Sequence, residues 1–307
     1  MTVLVVGGNG FLGSHIVDGL LAAGHRVRVL SPNPELFRAP NVEVDYHFGR
    51  LDIGVDLEAA LDGCEVVVDA ASSAVPASAD RSPATAIATS VGASTWLGEV
   101  CRRSGIRALV YLSSGGTVYG RSGDEVPHRE TDALAPIGTY GALKAASELS
   151  LAALLRNSDV RHVCLRIANA YGERQNSARP QGIVGVALTR MLQGLPMTLY
   201  GDTMRDLIHG SDVASAVVLS VNDELDGVYN VGSGVGIAMS GLLARLEVIT
   251  GHRIVIEHRP VRSFDVPYSV LDIARVGQAG WSPKVDLDDG LARTWEWLRA
   301  LGGERER

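Results

Sequence analysis

The sequence has few of the features that mark secreted, metal-binding, membrane or nucleic-acid-binding proteins. It contains three cysteines in 307 residues, and none of them shows the C-x-x-C spacing of metal and redox sites. No apolar run reaches the ~18 residues that a membrane-spanning helix needs. The 28 Lys and Arg residues are scattered and are outnumbered by 35 Asp and Glu. A nucleic-acid or membrane-surface role therefore has little electrostatic support.

These absences favour a soluble protein in a reducing compartment. Cys64, Cys101 and Cys164 lie in apolar patterns, which predicts buried thiols in the cytoplasm and no metal site. The first strand begins at Thr2, which leaves no length for a signal peptide and strengthens the expectation of a cytoplasmic protein. Of the residues, 46% are hydrophobic, enough for one large α/β core with a smaller lobe attached.

Short apolar runs alternate with amphipathic stretches through the first half of the chain. The pattern predicts helices over 11–23, 83–103 and 139–157, with Ser82 as the N-cap before Pro83. Buried parallel strands are predicted at Val3–Val6, Val27–Leu30, Val66–Ala70, Leu109–Leu112 and Val163–Ile167. Strict alternation of strand and helix indicates an α/β fold with a doubly wound parallel Rossmann sheet.

This Rossmann domain, which would bind a dinucleotide, is predicted to span residues 1–168. Beyond Asn169 the alternation weakens, and a stretch with Gly and Pro from Arg179 to Pro196 leads into short elements. Residues 169–307 are therefore expected to form a smaller C-terminal substrate-binding lobe. Some of its segments are expected to return to the Rossmann domain.

The sequence GGNGFLG joins the first predicted strand to the first helix. Gly7 permits a tight turn, Gly10 lets the backbone approach a pyrophosphate, and Gly13 lets the helix pack closely on the strand. The helix begins at Phe11 and Leu12, where free N–H groups and the positive end of the helix dipole favour phosphates. This context predicts a dinucleotide-binding loop.

Tyr140 and Lys144 are four residues apart, which places them on one face of a predicted helix. A phenol with an ordinary pKa near ~10 is a poor proton shuttle at neutral pH. A nearby lysine cation and the positive charge of an oxidised nicotinamide favour the phenolate, and the lysine can also hold the nicotinamide ribose. Such spacing is common on helix surfaces and is weak evidence by itself. It indicates a catalytic pair because the same chain also has the predicted dinucleotide-binding loop.

The chain resembles the extended short-chain dehydrogenases/reductases of the nucleotide-sugar epimerase/dehydratase family, most of all its UDP-glucose 4-epimerases. The resemblance runs from Val3 to about Trp297. It rests on motifs that occur in the family's order, namely GGNGFLGSH, SSGGTVYG, YGALK, LRIANAYG, LYGD, RDLIHGSDVA, YNVGSG and GWSPK. It implies an NAD(P)-dependent enzyme with Tyr140 as acid/base and Lys144 as its modulator. It also implies a homodimer formed through the helices that carry Pro83 and Tyr140.

The resemblance also assigns substrate-binding residues. Asn169 would bond the sugar diphosphate, Tyr200 would stack on the nucleobase, and Arg205 and Arg262 would neutralise the diphosphate. Two arginines for two phosphates and an aromatic face for a base fit the chemistry. The alternative for Arg205 is a salt bridge to a neighbouring carboxylate, at position 202 or 206.

Three positions in SSGGTVYG depart from the family's pattern. The first normally carries a Ser or Thr that bonds the substrate oxygen, and here it is Gly115. We expect Thr117, two residues on along the same strand, to replace it, with Ser114 as the second candidate. Dehydratases and enzymes that move a C5 proton carry Asp, Glu or Cys at the other two positions. Gly116 and Thr117 cannot exchange a proton near neutral pH, which argues against a 4,6-dehydratase, a 3,5-epimerase or a decarboxylase.

The cofactor pocket departs as well. NAD-specific relatives end the second strand with an Asp that binds the adenosine ribose, and a second acidic position lies near the adenine; the chain has Ser31 and Arg50 there. Without the carboxylate, a 2′-phosphate could pair with Arg28, Arg38 or Arg50, so NADP is an alternative to NAD. Surface arginines that contact nothing are equally compatible with the pattern. The remaining cofactor contacts implied by the resemblance are Leu51 and Ala70. Relatives often have His where this chain has Asp69, and Asn where it has Ser90.

Two reactions need only a hydride and one tyrosine proton. Likeness along the whole chain favours a 4-epimerase that works through a transient 4-keto sugar and keeps its cofactor bound. Ser31 and Arg50 favour a 4-ketoreductase of a nucleotide sugar or another ketone. A non-catalytic dinucleotide sensor is disfavoured because Tyr140 and Lys144 are both present.

Overall fold

A parallel sheet covered by helices forms the larger part of the molecule. The structure is a computed structural model that describes residues 1–34, 40–72, 79–121, 125–175, 182–262 and 265–305, the last four without their side chains. Its strands are β1 (Thr2–Val6), β2 (Arg26–Ser31), β3 (Val44–Phe48), β4 (Val66–Asp69), β5 (Ala108–Ser114), β6 (Arg161–Ile167), β7 (Asn169–Tyr171), β8 (Met197–Tyr200), β9 (Met204–His209), β10 (Gly227–Val231), β11 (Gly236–Ala238), β12 (Ile256–Arg259) and β13 (Tyr268–Ser269).

Its helices are α1 (Phe11–Ala22), α2 (Glu58–Leu61), α3 (Pro83–Ala86), α4 (Ala93–Arg103), α5 (Gly115–Val118), α6 (Thr139–Leu155), α7 (Ile183–Gln193), α8 (Gly210–Asn222), α9 (Met239–Thr250), α10 (Ala274–Gln278) and α11 (Leu287–Arg305). A π-helical turn, Ile87–Gly92, joins α3 to α4, so the helix predicted over 83–103 is one continuous helical segment with a change of winding. Ser82 makes no capping hydrogen bond with its side chain, contrary to expectation.

The main sheet has the order β10-β6-β5-β4-β1-β2-β3, and neighbouring strands are parallel throughout. The predicted α/β doubly wound fold is confirmed. Central strands such as β1 and β4 are apolar on both faces because helices cover both sides of the sheet. The carboxyl ends of these strands meet at one edge, where a doubly wound sheet binds its ligands.

The second half of the chain contributes to both layers of the molecule. β7, β9, β11 and β13 form a small sheet, and β8 pairs with β12. With α7, α9 and α11 they enclose a separate apolar core. β10 instead joins the main sheet beside β6, and α8 packs on α1, where Gly19 lies close to Ala214. The boundary at residue 168 stays a prediction, but the chain clearly crosses between the two parts.

Candidate active site

The glycine loop leaves β1 and enters α1 with the geometry of a phosphate cradle. Gly7 has a positive φ of 80°, and a Cβ there would meet the backbone of Ala71 at 2.9 Å. A Cβ at Gly13 would collide with the carbonyl of Gly7, so α1 can lie this close to the loop only with glycine. Gly10 is the exposed N-cap. Among the described residues, no side chain caps the first N–H groups of α1, which leaves them available to a ligand.

The end of β2 supports this loop. Ser31 is 3% exposed, and its hydroxyl accepts a hydrogen bond from the backbone N–H of Asn9 at 3.1 Å. Ala70 lies across the loop from Gly7, and Leu51 packs on the apolar cluster beside it. These positions, with Phe11 and Leu12, surround the place where the sequence puts the cofactor. Their roles as cofactor contacts remain predictions.

The three arginines suggested for a 2′-phosphate differ in their surroundings. Arg28 pairs with Asp45 at 2.6 Å and donates to the carbonyl of Asp62 at 2.7 Å, so it is already engaged in the structure. The suggestion that Arg28 pairs with a 2′-phosphate is therefore wrong, because the structure shows its guanidinium bonded to other groups of the protein. Arg38 lies outside the described residues. Arg50 is exposed and follows β3 by two residues, at the end of that strand where Phe48 pairs with Ser31 of β2.

A cleft of about 400 Å³ opens at the carboxyl ends of the strands. It brings together most of the residues singled out from the sequence, which come from distant parts of the chain. Its wall includes Phe11, Leu12, Ser114, Thr117, Tyr140, Asn169, Tyr200, Arg205 and Arg262. The same cleft thus holds a phenol and two guanidinium groups, a combination that suits a substrate with a reactive hydroxyl or carbonyl group and an anionic part.

Tyr140 lies in the first turn of α6, partly exposed to the cleft, with Lys144 one turn behind it. The ammonium of Lys144 donates to the carbonyl of Leu112 at 2.7 Å and lies 4.8 Å from the centre of the Tyr111 ring. Burial lowers the pKa of Lys144, but its electrostatic interactions with Tyr111, Tyr140 and Asp69 outweigh this effect and raise the pKa above its usual value. Lys144 is therefore a fixed cation behind the phenol.

The segment 115–118 is a helical turn, α5, and not the strand that the sequence suggested. A Cβ at Gly115 would meet the side chain of Leu271 at 2.6 Å and the carbonyl of Arg166 at 2.9 Å. Gly115 therefore faces away from the cleft. A hydroxyl side chain at this position would not reach the substrate, so glycine removes no substrate contact here. Ser114, the last residue of β5, and Thr117, whose hydroxyl is 3.4 Å from the carbonyl of Ser114, both line the cleft.

Gly116 does face the cleft. A Cβ there would lie 3.4 Å from the side chain of Asn169, and Asn169 itself donates its amide to the carbonyl of Asp206 at 3.1 Å. The place where dehydratases carry an acidic side chain is thus empty of any proton-exchanging group in this chain.

Arg205 points into the cleft and makes a hydrogen bond to the carbonyl of Met204 at 2.8 Å. The salt bridge considered for it is absent among the described residues, since Asp206 accepts hydrogen bonds from Ser233 and Asp202 accepts them from Ser240. Burial lowers the pKa of Arg205, and the charge of Asp265 opposes this. A partly buried guanidinium with no carboxylate bonded to it is suited to an anionic ligand.

Arg262 is engaged in the structure. It forms a bidentate pair with Asp265, at 2.9 and 2.8 Å, and its guanidinium lies 4.0 Å from the centre of the Tyr200 ring. The pKa of Asp265 is lowered by this pair. Arg262 covers one face of the ring that the resemblance assigns to a nucleobase, so a base would stack on the other face or displace the arginine.

The sequence interpretation missed a buried network behind the cleft. Glu148, on α6 one turn beyond Lys144, binds Arg166 of β6 through both oxygens, at 3.0 and 2.7 Å. The hydroxyl of Ser113, at the end of β5, donates to the same carboxylate. The network joins the helix of Tyr140 to two strands. Its signal in the sequence was the spacing of Glu148, four residues from Lys144 on the same helix face.

Comparisons with known proteins agree with this geometry. The family model described as "NAD dependent epimerase/dehydratase family" matches residues 3–232. A UDP-glucose 4-epimerase of Mycolicibacterium smegmatis is 33% identical over 97% of this chain and 99% of its own. A dTDP-4-dehydro-6-deoxyglucose reductase of Escherichia coli is 32% identical over 64% of this chain and 63% of its own.

Two crystal structures are similar over nearly the whole chain. The UDP-glucose 4-epimerase of Thermotoga maritima with UDP-glucose has a TM-score of 0.91 at 31% identity and covers 98% of this chain and 99% of its own. The Thermus thermophilus enzyme complexed with NAD has a TM-score of 0.90 at 33% identity and covers 97% and 99%. The predicted family, fold and NAD cofactor are confirmed. The chain belongs to the NAD-dependent epimerase/dehydratase family and is an enzyme of the extended short-chain dehydrogenase/reductase type.

Proposed function

We propose that this protein is a nucleotide-sugar 4-epimerase. The observation that carries the proposal is the cleft itself, whose lining includes Tyr140 together with Arg205 and Arg262. Such a cleft suits a sugar carbinol at the phenol and a diphosphate at the guanidinium groups. Because Gly116 adds no proton-exchanging side chain, the chemistry is restricted to one proton and one hydride.

The residues present fit NAD. A Cβ at Gly10 would lie 3.1 Å from the carbonyl of Gly7, so only glycines leave this loop open to a pyrophosphate, and the uncapped start of α1 adds N–H donors. Bound NAD supplies a reversible hydride acceptor. Gly7, Gly10 and Gly13 would hold its phosphates, and Lys144 would hold the nicotinamide ribose.

The chain's own residues handle the proton. Tyr140 takes the proton of the sugar 4-hydroxyl as the hydride leaves C4, which produces a 4-keto sugar, and returns the proton when the hydride returns to the other face. Lys144 favours the phenolate during the first half of this cycle. Ser114 and Thr117 both line the cleft, and either hydroxyl would donate a hydrogen bond to that sugar oxygen. Asn169, Arg205, Arg262 and Tyr200 would retain the nucleoside diphosphate while the ketone turns over.

A 4-ketoreductase is the second candidate, and one feature favours it. Ser31 leaves the end of β2 without the carboxylate that grips the adenosine ribose, which is a weaker hold than an epimerase with a resident cofactor needs. The partial match to a deoxysugar reductase points the same way. A reductase would consume NADH or NADPH and release the oxidised cofactor in every cycle.

Helices beside the cleft support a homodimer. Leu149 on α6 is 64% exposed and Ile87 on the adjoining π-helical turn is 53% exposed, with exposed alanines at 142 and 153. Lys144 and Glu148 are the charged residues of α6, and both point inward. An apolar face of this kind favours burial against a second copy. Leu149→Lys should shift the protein toward monomer in light scattering, whereas Leu192→Lys, on an exposed part of α7, should not.

We also propose a cytoplasmic location. Cys64, Cys101 and Cys164 are free and buried, as expected in a reducing compartment. Among the described residues, no helix is long and apolar enough to cross a membrane.

The test starts with the purified protein and its retained dinucleotide. Released NAD after denaturation, together with interconversion of UDP-glucose and UDP-galactose without net redox change, is the expected result. Tyr140→Phe should reduce turnover by about 10²- to 10⁴-fold and leave NAD affinity within about twofold, because the ring remains. Stoichiometric consumption of NADPH with a 4-keto sugar, and no interconversion, would establish the reductase instead.

A further inference from the structure

Asp69 ends β4 inside the molecule, and the chemistry described above gives it no role. Its side chain is 1% exposed. In the parallel register it pairs with Tyr111 of β5, so both side chains lie on the sheet face that α4 and α6 cover. A carboxylate buried there costs free energy unless hydrogen bonds or an opposite charge compensate it. Relatives with an imidazole at this position lack that negative charge.

Hydrogen bonds hold the carboxylate in one orientation. The backbone N–H of Ala71 donates to Oδ1 at 3.1 Å, and the hydroxyl of Ser94 on α4 donates to Oδ2 at 2.8 Å. Burial raises the pKa of Asp69, whereas Ser94, the cation of Lys144 and the Ala71 N–H oppose that rise. Both oxygens act as acceptors, which is the bonding pattern of the ionised form.

The opposite charge is the ammonium of Lys144. Its nitrogen lies 4.8 Å from the centre of the Tyr111 ring and donates to the carbonyl of Leu112, the next residue of β5; Lys144 is 9% exposed. Glu148, the carboxylate nearest to Lys144 in sequence, is bonded to Arg166. The charge of Asp69 contributes to the raised pKa of Lys144, and the charge of Lys144 in turn opposes the rise in the pKa of Asp69.

Within the part of the chain that the structure describes, the other side chains near Asp69 are ones that carry no charge near neutral pH. Burial raises the pKa of Cys101 on α4 and raises the pKa of Tyr111 to about 12. The partner position on β1 is the apolar Val6. Asp69 and Lys144 are therefore two opposite charges that both lie beside Tyr111, with Lys144 one helical turn from Tyr140.

We propose that Asp69 is a positioning residue whose carboxylate balances the charge of Lys144 and so sets the pH range in which Tyr140 exchanges its proton. The inference rests on the proposed function. The ammonium favours the phenolate, and the carboxylate weakens that effect; removing the carboxylate extends activity to lower pH. A unit charge roughly 10 Å away at an effective dielectric constant of ~20 shifts a proton equilibrium by about one pH unit.

The experiment compares pH profiles of kcat for the wild-type protein, Asp69→Asn and Ser94→Ala. Asp69→Asn should move the acid limb down by about one pH unit. Ser94→Ala keeps the carboxylate but favours its protonation, so it should move the limb the same way by a smaller amount. Asp62→Asn, an exposed carboxylate before the other end of β4, is the matched control and should leave the limb in place.

An acid limb that stays within ~0.2 pH units in Asp69→Asn, whether or not kcat falls, overturns the inference because a purely structural role changes only the height of the profile. If Asp69→Asn does not fold, the limb of Ser94→Ala decides. A wild-type protein that only reduces ketones refutes the epimerase, and the limb is then measured in that reaction, which uses the same tyrosine. A wild-type protein with neither activity overturns both proposals.

Discussion

The buried ion pair between Arg166 and Glu148 should stabilise the protein far more than an exposed pair of similar geometry. The side chains of Arg166 and Glu148 are 6% and 5% exposed. Those of Arg245 and Asp288, which also pair at 2.7 Å, are 51% and 53% exposed. Water therefore screens the second pair but not the first.

Glu148→Gln leaves the guanidinium of Arg166 buried without its counter-charge, which costs about 3–5 kcal/mol. For a chain of this length, that corresponds to a decrease in Tm of about 5–8 °C. Asp288→Asn removes the exposed carboxylate and should cost less than about 1 kcal/mol, or under ~2 °C.

Thermal unfolding followed by calorimetry or circular dichroism measures both variants under the same buffer and scan rate. Adding Arg166→Met to Glu148→Gln should cost less than the sum of the two single changes, because no charge is then left buried. Equal Tm values for Glu148→Gln and Asp288→Asn would refute the argument. Such a result would mean that water or another group compensates Arg166 in solution.

Three further predictions concern the site and its surroundings. Ser114→Ala and Thr117→Val test which hydroxyl bonds the substrate oxygen. The variant that removes this hydroxyl should have a kcat about 10- to 100-fold lower in steady-state kinetics. Equally small decreases in both variants would mean that a water molecule, and neither hydroxyl, makes this hydrogen bond. Ser31→Asp should raise the preference for NAD over NADP in kcat/KM or in binding titrations by at least about tenfold, since a carboxylate repels a 2′-phosphate; an unchanged ratio would mean that this position does not contact the ribose. His15 is buried, with its Nε2 donating to the carbonyl of Glu173 at 3.0 Å, and burial followed by the charge of Arg174 lowers its pKa to about 4. Because the unfolded chain binds this proton more readily, the free energy of unfolding should fall by about 3 kcal/mol from this group as pH falls from about 7 to 4. The denaturant midpoints of the wild type and of His15→Gln should therefore converge toward pH 4. Midpoints that change with pH in parallel would contradict the assignment.

The strands of the sheet were predictable to the extent that their side chains are apolar on both faces. The five predicted strands are present within two residues at either end. β3 and β10 were not predicted. β3 reads VDYHF and lies at the sheet edge, where one side meets water. β10 buries Asn230 fully, and its amide is bonded to the carbonyls of His128 and Asp272, which the local sequence does not reveal.

Some features of the candidate site were also predictable from local sequence, and others depended on tertiary contacts. Placing Tyr140 and Lys144 on one helix needed only their spacing, because helix geometry fixes which residues share a face. Arg28 looked available in the sequence, but Asp45 and a loop between α2 and β4 occupy it. Whether a charged side chain is free depends on partners that are distant in the chain.

The sequence by itself determined the phosphate loop of this protein, because the conformations of Gly7 and the start of α1 depend on their immediate neighbours. It also determined the alternation of strand and helix and, through its motifs, the family. Only the tertiary structure decided that Gly115 faces away from the cleft, since Leu271 of another segment packs against it. It likewise decided that Asp69 and Lys144 both lie beside Tyr111. The direction of a side chain and the charge beside it are set by packing between segments, and no local pattern records that packing.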